Sequence, residues 1–192
     1  MKHPSSRDLY AYWNERRGTR TVPERADIEP GAIRHLLGDA FILAIDASGG
    51  HPFRLAGTRL CALFGRELKG EPFTDLWTAA SRTTIRDLLA VAMEESVGTV
   101  AGVSARSTAG YGLDLELLLL PLGSRRTSHA RAIGVLAPIR SPHWLGTSEL
   151  GGLILGNRRH VGPAVEAGAV PRFMAAPGAG RRGFVVHQGG RS

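Results

Sequence analysis

The stretch FRLAGTRLCALFGRELKG, residues 53–70, decides how this chain is read. It opens as a short strand, PFRLAG, and then changes period. Leu60, Leu63 and Phe64 fall at helical spacing, and Gly65 stands where such a helix would end. The turn between the two halves is Gly57-Thr58, and the helix carries Cys61, the only cysteine in the chain. The question it sets is whether this is a cofactor site with a reactive thiol or a packing element of a sensing domain.

Upstream, AFILAID places Phe41, Leu43 and Ile45 on one face of a strand. The link ASGGHP joins it to PFRLAG as a hairpin. Downstream, EPFTDLWTAA carries Phe73, Leu76 and Trp77 in a short helical or irregular piece. SRTTIRDLLAVAMEESVG is the clearest helix: Ile85, Leu88, Leu89, Ala92 and Met93 recur on one face, and Arg82, Arg86, Glu94 and Glu95 face away. Ser81 fits its N-cap, and Gly98 lies just past its end. Three strands follow. They are TVAGVSARS, then YGLDLELLLLPL with Leu113, Leu115, Leu117 and Leu119 inward, then ARAIGVLAPI with Ile133 and Val135 on one face. SRRTSH reads as the polar loop between the last two.

Hairpin-length links flank a single helical block, so the fold class is α+β: a five-stranded antiparallel sheet with helices on one face. Ahead of it, RDLYAYWNERRG reads as a helix ending at Gly18, with Leu9, Tyr10 and Trp13 as its large side chains. TVPERADIEP is a surface connector, and Pro30 opens the short helix GAIRHLL. The chain divides into 1–30, helix and connector; 31–140, the main domain; and 141–192, a Gly- and Pro-rich basic segment expected to be partly disordered.

Composition narrows the class. Of 192 residues 43% are apolar, an ordinary globular share. No apolar run approaches the roughly 20 residues that cross a bilayer, and the start of the chain has no apolar block of a signal peptide. A lone cysteine cannot make an internal disulfide, which fits a reducing, cytoplasmic setting. The net charge of +7 is uneven: residues 141–192 hold six basic and two acidic side chains. A basic excess confined to a Gly-rich tail favours solubility or loose association over specific nucleic-acid reading.

The order of elements, together with YWNERRG, PERADIEPGAIRHLLGDAFILAID and FRLAGTRLCALFGRELKG, resembles the PAS domain family. Within it the chain is similar to bacterial stand-alone PAS-like proteins. A strand ending in Gly-Thr, a helix with Phe-Gly, then Glu-Leu-x-Gly is the counterpart of the family's signature, over about residues 5–140. The resemblance implies a cytoplasmic, non-enzymatic sensory or signalling module, often dimeric, with partners such as a histidine kinase. It also frames the cofactor question. Flavin-binding members carry Asn-Cys-Arg-Phe-Leu-Gln where this chain reads EPFTDLW, so flavin is disfavoured. Cys61 reads as a small core thiol. Haem is disfavoured too, because the long helix has no histidine, and His35 and His51 read as surface residues. No cofactor is predicted.

In this fold a small-molecule pocket would lie between helices and sheet, lined by Thr58, Cys61, Phe64, Phe73, Trp77, Leu89, Met93, Leu117 and Val135. The same apolar set is what a packed core supplies. Catalysis has no support: Asp114 and Glu116 alternate with inward leucines and should face solvent or a partner. No metal-ligand spacing occurs. Leu9, Tyr10 and Trp13 must be buried somewhere, and a homodimer interface is expected, with capping of their own sheet as the alternative. Function is therefore expected to be ligand or partner sensing. A ligand-free adaptor is the first alternative, and a nucleic-acid-associated protein using the basic tail is the more distant one.

Overall fold

Among the described residues six antiparallel strands form one sheet, and helices lie on both of its faces. In the computed structural model residues 1–123 and 130–162 are described. The strands are β1 Ala40–Ala44, β2 Phe53–Ala56, β3 Gly98–Arg106, β4 Gly112–Leu122, β5 Arg131–Pro138 and β6 Ile154–Val161, in the spatial order β2-β1-β5-β4-β3-β6. The helices are α1 Pro4–Arg17, α2 Thr58–Phe64 and α3 Ala79–Glu94, with single 3₁₀ turns at Arg25–Asp27, Pro30–Ile33 and Phe73–Leu76.

The hairpin β1–β2 and the inward leucines of β4 stand as expected. The sheet has one strand more than expected. β6 comes from residues 141–192, the segment expected to be partly disordered, and pairs with β3. Residues 141–162 thus continue the fold, and Trp144, Leu150 and Leu153 join the core cluster under α3. The loop SRRTSH and residues 163–192 lie outside the described residues.

The long helix begins three residues earlier than the sequence suggested. Thr78 is its N-cap position, not Ser81. The Ser81 hydroxyl instead accepts a hydrogen bond from the Leu155 amide at 3.0 Å, tying α3 to β6. α2 ends as read, with Gly65 left-handed and its N–H bonded to the Cys61 carbonyl.

The sheet separates two apolar clusters. On the inner face Phe41, Leu43, Leu117, Leu119 and Leu136 meet α2 and α3. On the outer face Ile42, Leu118, Leu120, Ile133 and Val135 meet Leu9 and Trp13 of α1. β5 is buried on both sides, which is why its residues show no polar alternation.

Candidate functional site

The inner cluster is built around aromatic rings. Phe73 lies 5.5 Å from Phe41, 5.6 Å from Phe53 and 5.7 Å from Trp77, centroid to centroid, and Phe41 meets Phe53 edge-on at 5.8 Å. Such pairs add about 0.5–1.5 kcal/mol each beyond burial. Phe64, Phe73, Trp77, Leu89 and Leu117 come together here, each almost completely covered. Cys61 packs against them from the rim, partly exposed, so it is a boundary thiol and not a fully buried one.

Three expected lining residues are elsewhere. Val135 is on the outer face: across β4–β5, Leu117 pairs with Leu136 and Leu118 with Val135, and a shift of one residue reverses the face. Met93 stays outside both clusters, half-buried, about 80° round α3 from Ile85. Thr58 is the exposed first residue of α2, and its side chain makes no cap bond there, Gly57 being the cap position.

Burial pushes the Cys61 thiol above its ordinary value, and the nearby Glu67 carboxylate, which accepts from Sγ at 3.6 Å, adds to that. The thiolate is therefore scarce at neutral pH, the opposite of an activated cysteine. Cys61→Ala is expected to cost about 1 kcal/mol in denaturant unfolding, and the wild-type thiol to react with iodoacetamide more slowly than free cysteine at pH 7.

One polar atom in this interior stands alone. The indole Nε1 of Trp77 is buried without a hydrogen-bond acceptor among the described residues. Leaving such a donor unpaired costs about 1–3 kcal/mol.

The N-terminal helix is latched by two carboxylates from other elements. α1 has no acidic residue in its first turn. Glu116 of β4 takes that place: its carboxylate accepts the Lys2 amide at 2.6 Å and the His3 amide at 2.9 Å. Glu116 is thus buried under the helix start and does not face solvent as its alternation implied. At the other end of the helix the Trp13 indole donates to the Pro121 carbonyl at 2.8 Å. Ten residues of helix rise about 15 Å and five of strand about 17 Å, so α1 runs alongside β4.

The second carboxylate, Asp39, is buried just before β1. It accepts the Ser5 hydroxyl at 3.0 Å and a two-pronged contact from Arg59, Nε at 2.8 Å and Nη2 at 2.7 Å. Hydrogen bonding to Asp39 raises Arg59 further above its ordinary value. Arg59, its side chain half exposed, therefore links α2 through Asp39 to α1. A cleft of about 250 Å³ opens beside this pair, between His3, Leu63 and Ser141.

Burial alone would push the Glu116 carboxyl up, but the Lys2 and His3 amides, with the Ser6 hydroxyl and the N-terminal charge, together hold it below its ordinary value. A carboxyl with a depressed folded value contributes stability that is complete above its unfolded value, about 4.3, and is lost as pH falls through the folded one. Helix α1 is expected to loosen below about pH 4, seen as faster amide exchange across 4–17. Glu116→Gln should remove that pH dependence and cost roughly 1–2 kcal/mol at pH 7.

Leu9 and Trp13 are fully covered by their own sheet, and Tyr10 is half-buried, its ring 6.2 Å from that of Trp13. The burial of Leu9 and Trp13 is thus supplied within their own chain. Of the histidines, His35 is exposed beside Asp8, whereas His51 is buried, with its backbone in the left-handed region.

A PAS domain family model, PAS_5, matches residues 1–137. The chain belongs to the PAS domain family. Its sheet and helical block are those of a sensory or signalling module, and β6 lies beyond the matched residues. Among solved structures it is similar to an RNA-binding Light-Oxygen-Voltage receptor, with 16% identity and a TM-score of 0.45. That match covers 61% of this chain and 35% of the receptor's. No curated protein matches. Among the described residues of this PAS chain, no helix is long and apolar enough to cross a membrane.

Proposed function

We propose that this PAS chain is a non-enzymatic signalling module that works by binding a regulatory protein, such as a histidine kinase, through its surface. The observation that carries this reading is the use of the interior. Phe64, Phe73, Trp77, Leu89 and Leu117, the residues expected to line a ligand pocket, are packed against one another and against Phe41 and Phe53. Side chains in such contact are spent on cohesion.

A second reading, a small ligand in the interior, is favoured by one atom, the unpaired Trp77 Nε1. An apolar molecule with a single acceptor would complete it. Native mass spectrometry of the purified full chain distinguishes the two. The polypeptide mass alone, together with a stoichiometric complex when a purified regulator is added, supports the surface reading. A small molecule that leaves on unfolding, and is lost in Trp77→Phe, overturns it in favour of the second.

A further inference from the structure

Helix α1 covers only part of the outer face. It lies over β4 and β5, and the β3–β6 side carries a trough of about 570 Å³. Its floor is bare main chain. Gly102 of β3 is exposed, and a Cβ there would meet nothing nearer than the Asn157 carbonyl at 3.9 Å. Gly156 of β6 comes so close that a Cβ would stand 3.0 Å from the Gly102 carbonyl. The β3–β6 register shifts at this place, between Ala101 and Val103. Glycine in a strand marks a bulge or the close approach of another backbone, and here both glycines border the same opening.

The rim is charged in a definite way. Lys2, Arg158 and Arg159 line it, and among the described residues none of the three side chains has an ion-pair partner. Of the two acidic residues, Glu116 is already occupied by the amides of Lys2 and His3. Asp114 is the exposed one. Among the described residues the trough therefore has three free cations against one free carboxylate.

We infer that this trough is the docking site for an extended acidic segment of a partner protein, an inference that rests on the surface reading above. The shape excludes an enclosed small molecule: Gly102, Ser104, Asp114 and Arg159 are exposed, whereas small ligands are mostly enclosed by their pockets. Five residues of β3, from Val100 to Ser104, line it, a length of roughly 17 Å that suits about five residues of extended chain. The charges select peptide over nucleic acid. A continuous phosphate chain would run over Asp114 and Glu116, but a peptide sets its carboxylates against Arg158, Arg159 and Lys2 and offers main-chain N–H groups to Asp114.

The test is to pan a random heptapeptide phage library against the full chain and measure the selected peptides by fluorescence anisotropy. Two variants report on the trough. Gly102→Val fills its floor at an exposed strand position where a β-branched residue is well tolerated, and Arg158→Glu with Arg159→Glu reverses its rim. Selected clones rich in Asp and Glu, bound at least ten-fold more weakly by each variant while both unfold at the wild-type midpoint, support the inference. Should Gly102→Val unfold early, the charge-reversed variant and proton–deuterium protection of β3 and β6 by the bound peptide decide it. No enrichment, clones without acidic bias, affinity unchanged in both variants, or tighter binding of a single-stranded oligonucleotide overturns it. A regulator captured equally by wild type and Gly102→Val also overturns the trough and leaves the surface reading standing. A small molecule released from the interior overturns the surface reading, and the peptide measurement still decides the trough.

Discussion

Trp13→Ala is expected to destabilise the protein by about 3–5 kcal/mol, the largest loss of any single truncation on the outer face. Native domains are stable by only about 5–15 kcal/mol, so this is a large share. Trp13 is fully covered, its ring packs beside Tyr10, and its indole satisfies the Pro121 carbonyl. Removing it leaves a cavity and an unpaired carbonyl at once. The loss should be local before it is global. The outer cluster would open as α1 lifts from Leu118, Leu120 and Ile133, while the inner cluster keeps its own contacts on the far side of the sheet. Denaturant unfolding followed by far-UV circular dichroism and by hydrogen exchange across 4–17 checks this, together with a dilution series. The unfolding midpoint is expected to be independent of protein concentration, since Trp13 is buried by its own chain. A concentration-dependent midpoint would mean that a second subunit contributes to that burial.

Much of the fold was legible because one physical signal dominated each element. α3 shows a single apolar stripe, and the β4 leucines alternate with Asp114 and Glu116, so both were read almost residue for residue. The failures have equally specific causes. In β5 both faces are buried, so alternation named the set holding Val135 but not the side it faces. Glu116 sits at a strand position where a carboxylate ordinarily meets water. Only the arrival of the α1 start, more than a hundred residues away in sequence, turns it into a latch. β6 has the sequence ILGNRRHV, with glycine and two arginines and little apolar periodicity. Its pairing with β3 and its tether to Ser81 make it a strand. The pair Asp39–Arg59 was invisible for the same reason as Glu116: contact between distant segments leaves no local period.

Gly57→Ala is expected to cost about 3 kcal/mol or more, at the severe end of overpacking, although it adds a single methyl group. Its φ of −70° suits any residue, so conformational freedom is not the reason for glycine here. Space is. A Cβ would stand 2.1 Å from the Leu37 carbonyl and 2.3 Å from that of Gly38, and both obstacles are main chain, unable to swing aside as a side chain would. Two hydrogen bonds hold the approach, Gly57 N–H to the Ala40 carbonyl at 2.8 Å and Leu60 N–H to the Gly38 carbonyl at 3.0 Å. Any shift that relieves the clash must lengthen one of them. It would also carry Arg59 away from Asp39, whose other contact holds Ser5 of α1. The glycine that closes the strand of the 53–70 stretch thus fixes α2 against the entry to β1, and through Asp39 it bears on the N-terminal helix as well. Equilibrium unfolding of Gly57→Ala beside Gly31→Ala, a glycine with nothing within 4 Å, measures the effect. A loss near 3 kcal/mol for the first and within about 0.5 kcal/mol for the second is the expected pattern. Equal small losses would show that the loop before β1 yields freely, and that the close contact does not fix the helix.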